Sequence, residues 1–309
     1  MLMKKILLSL CLLVLGYMSS TAQSQDVVNP DRSPVHDKDI QLLSPVEIIE
    51  DSLVYFADSM YYSQIPEARI DGSYAFIRLL KTMLKTQGTF SYPFNKLKNS
   101  IGILNAPDNS FRIYNWEIIR GTVERRYYGV IQKNDGSFIP LVDVSDQIIR
   151  GAEDSVFFGN RWMGCLYYNM VQKSIGGQQV YFLLGWNGNA TNSERKIIDA
   201  FGFNPQGQSQ FGAPVFTSLE RGVRKNPMRF ILEYQKGSKV SLNYDKELDQ
   251  IIFDHCESQI GDPAKKYTYL PDGTYDGFTW DGQQWKMAEN IVQITELQQG
   301  NAPIEKPIK

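Results

Sequence analysis

The sequence predicts an α+β protein dominated by β, with two N-terminal helices followed by a large antiparallel β meander. Three observations carry this. Apolar residues recur at helical spacing between residues 44 and 88, the period drops to two from about residue 101, and Gly, Asn and Asp punctuate the remainder at short intervals. No clean repeat marks the chain, so the meander is read as a sandwich, an open barrel or a small propeller.

Ser44-Pro45-Val46-Glu47 has the form of a capping box with proline at the first helical position, and Ile48, Ile49, Leu53, Val54, Phe56, Ala57 and Met60 follow at helical spacing. This predicts a helix over about 45–62. In the second helix Phe76, Leu79, Leu80, Met83 and Leu84 form one apolar face, with Gly88 where a C-terminal cap is expected. Strands are expected at Phe111–Ile118, Arg126–Gln132, Phe138–Val144, Trp162–Gln172, Gln179–Leu184, Met228–Gln235, Lys239–Tyr244, Gln250–Cys256 and Lys266–Leu270. Between them lie the turn signals Asp108-Asn109, Asn134-Asp135-Gly136, Gly176-Gly177, Asn187-Gly188 and Lys236-Gly237. In 191–203, Asn192-Ser193-Glu194 can start a short helix, but Lys196 to Phe201 is preferred as a strand. The run from Pro271 to Trp285 packs three Asp-Gly pairs among four aromatics and reads as tight hairpins closing the sheet.

Ahead of the first helix, Lys4 and Lys5 precede an apolar stretch from Ile6 to Gly16, then Ser20-Thr21-Ala22 with small residues at −3 and −1. This is the pattern of a secretory signal peptide over 1–22, cleaved after Ala22; the alternative is an N-terminal membrane anchor. Residues 23–43 then form a polar spacer, 44–100 a helical segment packed on the β domain, 101–290 the β domain and 291–309 a polar tail. No other run is apolar enough to span a bilayer, so no membrane span is expected in the mature chain. Export through the inner membrane would bring the protein to the periplasm, the outer surface or the medium.

The 309 residues carry 34 acidic and 32 basic side chains; without Lys4 and Lys5 the balance is 34 to 30, a formal charge of −4. A nucleic-acid binder needs a basic excess, so that class is set aside. Cys11 leaves with the signal, and Cys165 and Cys256 remain. They are either a disulfide made in an oxidising compartment or two buried free thiols.

Three stretches look familiar: Ala106-Pro107-Asp108-Asn109-Ser110-Phe111-Arg112-Ile113-Tyr114-Asn115-Trp116, then Leu184-Gly185-Trp186-Asn187-Gly188-Asn189 with Phe211-Gly212-Ala213-Pro214, and the aromatic Asp-Gly run. They resemble segments of uncharacterised exported β-rich proteins of Gram-negative bacteria. The resemblance covers about residues 75–290 and implies export, but no activity.

Catalytic side chains are scarce. The mature chain has only His36 and His255 as imidazoles, and it lacks CxxC, HExxH, GxSxG, GxxxxGK[ST] and strand-borne GxGxxG motifs. No cofactor or metal is expected. The catalytic candidates are Asp254 and His255, although on a regular strand His255 shares a face with Ile251 and Phe253 while Asp254 and Cys256 point the other way. Asp245, Glu247, Asp249, Asp254, Asp272, Asp276 and Asp281 offer carboxylates for glycoside hydrolysis. Of these, Asp272, Asp276 and Asp281 each precede glycine and are expected to bond their own turns. A calcium loop at Asn187, Asn189 and Asn192 lacks the carboxylates such loops use.

Aromatics beside short polar residues at loop tips give the binding candidates: Trp186, Asn187, Asn189, Tyr275, Trp280 and Trp285. Alternatively, Trp280 and Trp285 pair across the Asp281-Gly282 hairpin. The expected function is an exported non-catalytic binding or structural protein of the envelope or extracellular space, its partner a glycan or an envelope protein. The alternative is a carboxylate-dependent hydrolase acting on polysaccharide.

Overall fold

The Ser44 capping box forms as its spacing requires. In the computed structural model the Glu47 amide donates to Ser44 Oγ at 3.3 Å, and the Ser44 amide donates to Glu47 Oε2 at 2.6 Å. The structure describes residues 44–292 except 121–123, 149–150, 189–190 and 221–222, so the expected signal peptide and spacer and most of the expected polar tail lie outside the described residues. Helix α1 spans Pro45–Tyr62 and α2 spans Pro66–Leu84. The second helix ends at Lys85 rather than Gly88; that glycine, at φ +86°, starts the 3-10 turn over 89–91 instead. Buried Glu50 ties the following loop to α1, accepting from Tyr92 Oη at 2.6 Å and from the amides of Lys96 and Leu97 at 2.8 and 3.0 Å.

Sixteen strands are found among the described residues, in three sheets. The first is a meander of β1 (Gly102–Asn105), β2 (Phe111–Arg120), β3 (Glu124–Lys133) and β4 (Phe138–Val142). A central sheet orders β5 (Phe157–Phe158), β9 (Ser209–Phe211), β8 (Ser193–Phe203), β7 (Gln178–Asn187) and β6 (Leu166–Ile175). The third orders β11 (Val223–Lys225), β10 (Phe216–Glu220), β16 (Trp285–Val292), β15 (Tyr269–Trp280), β14 (Gln250–Ser258) and β13 (Leu242–Asp245). Strand β12 (Arg229–Gln235) pairs along β8, on the edge whose far end is taken by β9.

Alternation along each strand stacks these layers. Tyr114, Trp116 and Ile118 of β2 face Leu53, Phe76, Leu80 and Met83 of the helices, whereas Phe111 and Ile113 face the central sheet with Ile131 and Leu141. In β7, Tyr181 and Leu183 pack toward the first sheet, and Phe182 and Leu184 toward the third. That strand is buried on both faces, hence its unbroken apolar run. The order is therefore helices, first sheet, central sheet, third sheet: a stacked sandwich, not a closed barrel or a propeller.

The pairings between the named strands are antiparallel except β10 with β16, where Phe216 lies opposite Trp285. The preferred strand over Lys196 to Phe201 is found within β8. One expectation needs correction. The Asp-Gly run holds one hairpin, not several: the Asp281 carboxylate accepts the amides of Gln283 and Gln284, while Asp272-Gly273-Thr274 forms a bulge within β15, with Gly273 at φ +90° and Asp272 accepting from the Thr274 amide and hydroxyl. Asp276-Gly277 lies in extended strand, and Gly277 is required there because a side chain would collide with Ile291 and the Ile251 carbonyl.

One charged group lies at the centre of the central sheet. Arg229 has no exposed surface and stands opposite Asp199 in the β8–β12 ladder. Its Nε donates to Asp199 Oδ1 at 2.9 Å, and its other nitrogens donate to the carbonyls of Ala152, Ser155 (2.8 Å) and Phe211 (3.1 Å), with the Phe157 ring 4.5 Å from the guanidinium. Tyr167 Oη donates to the second Asp199 oxygen at 3.0 Å, and Trp162 Nε1 donates to Tyr167 Oη at 3.1 Å. A buried pair so fully satisfied is costly to break from one side. Arg229→Met should lower the free energy of unfolding by about 3–5 kcal/mol in urea titrations with little change in slope, since Asp199 stays buried without its cation. A loss below about 1 kcal/mol, the usual value of a surface pair, would show that the network is dispensable.

Candidate functional site

The β8 register builds the site. With Arg229 opposite Asp199, Tyr234 falls opposite Glu194, and on the other edge Trp186 of β7 falls opposite Lys196. Along this face of the central sheet, Phe182 and Leu184, Ile198 and Ala200, and Phe230 pack against the third sheet. Toward the strand ends the same face changes character, to Trp186, then Lys196 and Glu194, then Tyr234. There the two sheets part and leave a cleft of about 660 Å³, closed on the far side by Ser238 to Ser241, Asp254 and Tyr275.

Trp186 is held from two sides. Its indole N–H donates to Glu194 Oε2 at 3.3 Å, and the Arg125 guanidinium lies 4.9 Å from its ring centroid. Arg125 is paired with Glu117, whose carboxyl is pushed up by burial against the opposing pull of that same arginine. Asp254 accepts from the Ser241 amide at 2.5 Å and from its hydroxyl at 2.8 Å, fixing the 238–241 wall. Lys196 is half-buried, its ammonium 5.0 Å from the Tyr168 ring, and burial lowers its pKa despite the opposing pull of Glu194 and Asp254. Tyr168 in turn donates to the Leu242 carbonyl at 2.8 Å, bridging the two sheets beside the cleft.

Of the residues singled out in the sequence, the fold brings Trp186, Tyr275 and Asp254 together in this cleft. It does not bring the others. Asn187 is buried, its side-chain amide donating to the Gly164 carbonyl, and Asn189 lies outside the described residues. Trp285 is fully buried in the sandwich core, and Trp280 meets it edge-on across the hairpin at 5.2 Å, so the two form the cross-strand pair rather than a binding surface. Cys165 and Cys256 are free thiols in different clusters, the first between the first and central sheets, the second beside Tyr234 and Val240. The disulfide is therefore not formed. Glu194, Lys196 and Tyr234 were not singled out. Their signal is that Glu194 and Lys196 occupy the same strand phase as Ile198 and Ala200, so charge continues a core-facing row.

His255 partners neither of its sequence neighbours. A register shift in β14 between Asp254 and Cys256 breaks the regular alternation, and Cys256 is buried while the His255 side chain stays 32% exposed. Its Nδ1 lies 2.8 Å from Asp276 Oδ2, and its Nε2 is 3.9 Å from Asp272 Oδ2. Asp276 is thus no turn former; its other oxygen accepts the Asn290 amide at 3.0 Å. The arrangement clamps the β15 bulge to β14, outside the residues lining the cleft. Among the described residues no group of three metal-ligating side chains converges, and no helix is long and apolar enough to cross a membrane. Comparison with family models, curated proteins and solved structures gave no match.

Two consequences can be measured. Partial burial disfavours charged His255, but Asp276, aided by Asp272 and Glu257, outweighs it and raises the pKa above the ordinary 6.5. A raised folded-state pKa adds stability that is complete below pH 6.5 and disappears as pH climbs through the folded value. Native protein should therefore lose stability relative to His255→Gln as pH rises above 6.5; parallel profiles for the two would show that the clamp is not ionic. Burial pushes Cys256 up to about 12 and raises Cys165 well above the ordinary thiol range. An aromatic-disulfide thiol reagent should leave both unlabelled in native protein and label both at once in denaturant, whereas a bonded pair would yield neither.

Proposed function

We propose that the protein is an exported, non-catalytic binding protein whose cleft holds a glycan. One observation carries the reading: Trp186 and Tyr275, both partly exposed, meet Ser238, Ser241, Asp254 and Lys196 along a single open cleft, with Tyr234 buried in its lining. Flat apolar rings interleaved with short hydrogen-bonding side chains suit the two sides of a sugar, the C–H face and the hydroxyl rim. Export rests on the Lys4-Lys5 flank, the short apolar stretch and the Ser20-Thr21-Ala22 site, together with the resemblance to exported Gram-negative proteins.

The second reading, a carboxylate-dependent hydrolase, has one observation in its favour: Glu194 and Asp254 line the same cleft. Their hydrogen bonds weigh against it. Asp254 is fastened by two Ser241 donors and Glu194 accepts from an indole, whereas acid–base cleavage requires one carboxyl poised to give its proton to the glycosidic oxygen.

Trp116, Trp162, Trp280 and Trp285 pack into the cores, so Trp186 should dominate any ligand-induced change in tryptophan fluorescence. Titration with a panel of neutral and acidic oligosaccharides should shift the emission with at least one of them, should leave that sugar uncut, and should give no shift with Trp186→Ala. Silence across the panel would overturn the glycan reading, and release of new reducing ends would replace it with the hydrolase.

A further inference from the structure

Lys196 is the anomaly of the cleft. It lies in the middle of β8, in a row with Trp186 on one side and Leu232 on the other, and continues a face that is apolar at Ile198 and Ala200. An ammonium in that position is partly stripped of water and normally acquires a carboxylate partner. Lys196 has none among the described residues: it forms no ion pair and no hydrogen bond, and its contact is the Tyr168 ring at 5.0 Å. The two carboxylates of the cleft are engaged elsewhere, Glu194 by the Trp186 indole and Asp254 by Ser241. The remaining cation, Lys239, is exposed at the rim.

A half-buried, unpaired cation between aromatic walls is satisfied by an anion brought in from solution. We infer that the ligand carries a carboxylate on a sugar ring, an acidic glycan of the uronate type, with Lys196 receiving the carboxylate and Lys239 adding charge at the entrance. This rests on the glycan reading above and narrows it. The aromatic rings select a sugar over an acidic peptide, since Trp186 and Tyr275 present partly exposed rings for stacking. Glu194 and Asp254 keep their charge, since the groups that donate to them are neutral, and Lys196 and Lys239 offset it among the residues lining the cleft. Discrimination is electrostatic: a neutral isostere leaves the ammonium desolvated and unpaired, which is the stronger basis for rejecting a wrong ligand.

The test uses the purified protein and matched probes: short galacturonate and glucuronate oligosaccharides, their methyl esters, and a tetrapeptide of glutamates. By calorimetry, an acid should bind about ten-fold or more tightly than its ester, the gain from one partly buried charge pair. Lys196→Met should remove that preference, and Lys196→Arg should keep it. Circular dichroism and urea midpoints confirm that each variant is folded. If acids and esters bind alike, or if Lys196→Met retains the preference, the acidic-glycan inference falls and the glycan reading stands. If no sugar binds, whether or not the peptide does, both fall together.

Discussion

The central sheet depends on a charge it cannot hydrate. Arg229 and Asp199 face each other with no exposure to solvent, and between them they gather the carbonyls of Ala152, Ser155 and Phe211 and the hydroxyl of Tyr167. Such a network is poor evidence for stability in itself, because well-packed apolar residues can do as well. Its effect lies in register. A slip of one residue between β8 and β12 would bury two unpaired charges, so only one alignment is tolerated, and in that alignment Tyr234 and Glu194 are cross-strand partners at the cleft. A site of polar side chains at one end of the strands is thus set by an ion pair toward the other.

Much of this was readable in the chain, for identifiable reasons. The capping box at Ser44 and the apolar face from Phe76 to Leu84 are local signals, and local signals survive into the fold. The long strands β2, β3, β7 and β14 announced themselves by alternation or by apolar runs. Short strands did not: β1, β5, β9, β10 and β11 are too brief to show a period, and their pairing is decided by partners remote in sequence. Trp285 shows the limit most clearly. Its aromatic neighbourhood suggests a loop tip, yet β16 inserts between β15 and β10 and carries the indole into the core.

The site was half legible. Trp186, Tyr275 and Asp254 could be named because aromatics and acids stand out by type. Lys196 and Glu194 could not, because a charge in a strand means nothing until the strand's phase is known, and that phase follows from the third sheet's packing on Ile198 and Ala200. His255 illustrates the opposite error. Its neighbours Asp254 and Cys256 suggested a chemical grouping, whereas its partner Asp276 comes from the adjacent strand, brought opposite by a bulge that no local pattern encodes. Histidine here fastens two strands and is not among the residues that line the cleft.

The parallel pairing of β16 with β10 has an implication for how the chain reaches its fold. Phe216 and Thr217 take their ladder partners from Trp285 and Lys286, so the β10–β11 ribbon has no sheet to join until the whole of β12 to β15 has been laid down. Closure of the third layer is consequently a long-range event with a loop-entropy cost, unlike the local pairing of β1 to β4. The outermost layer of a chain wired in this way stays incomplete until its last strand is present.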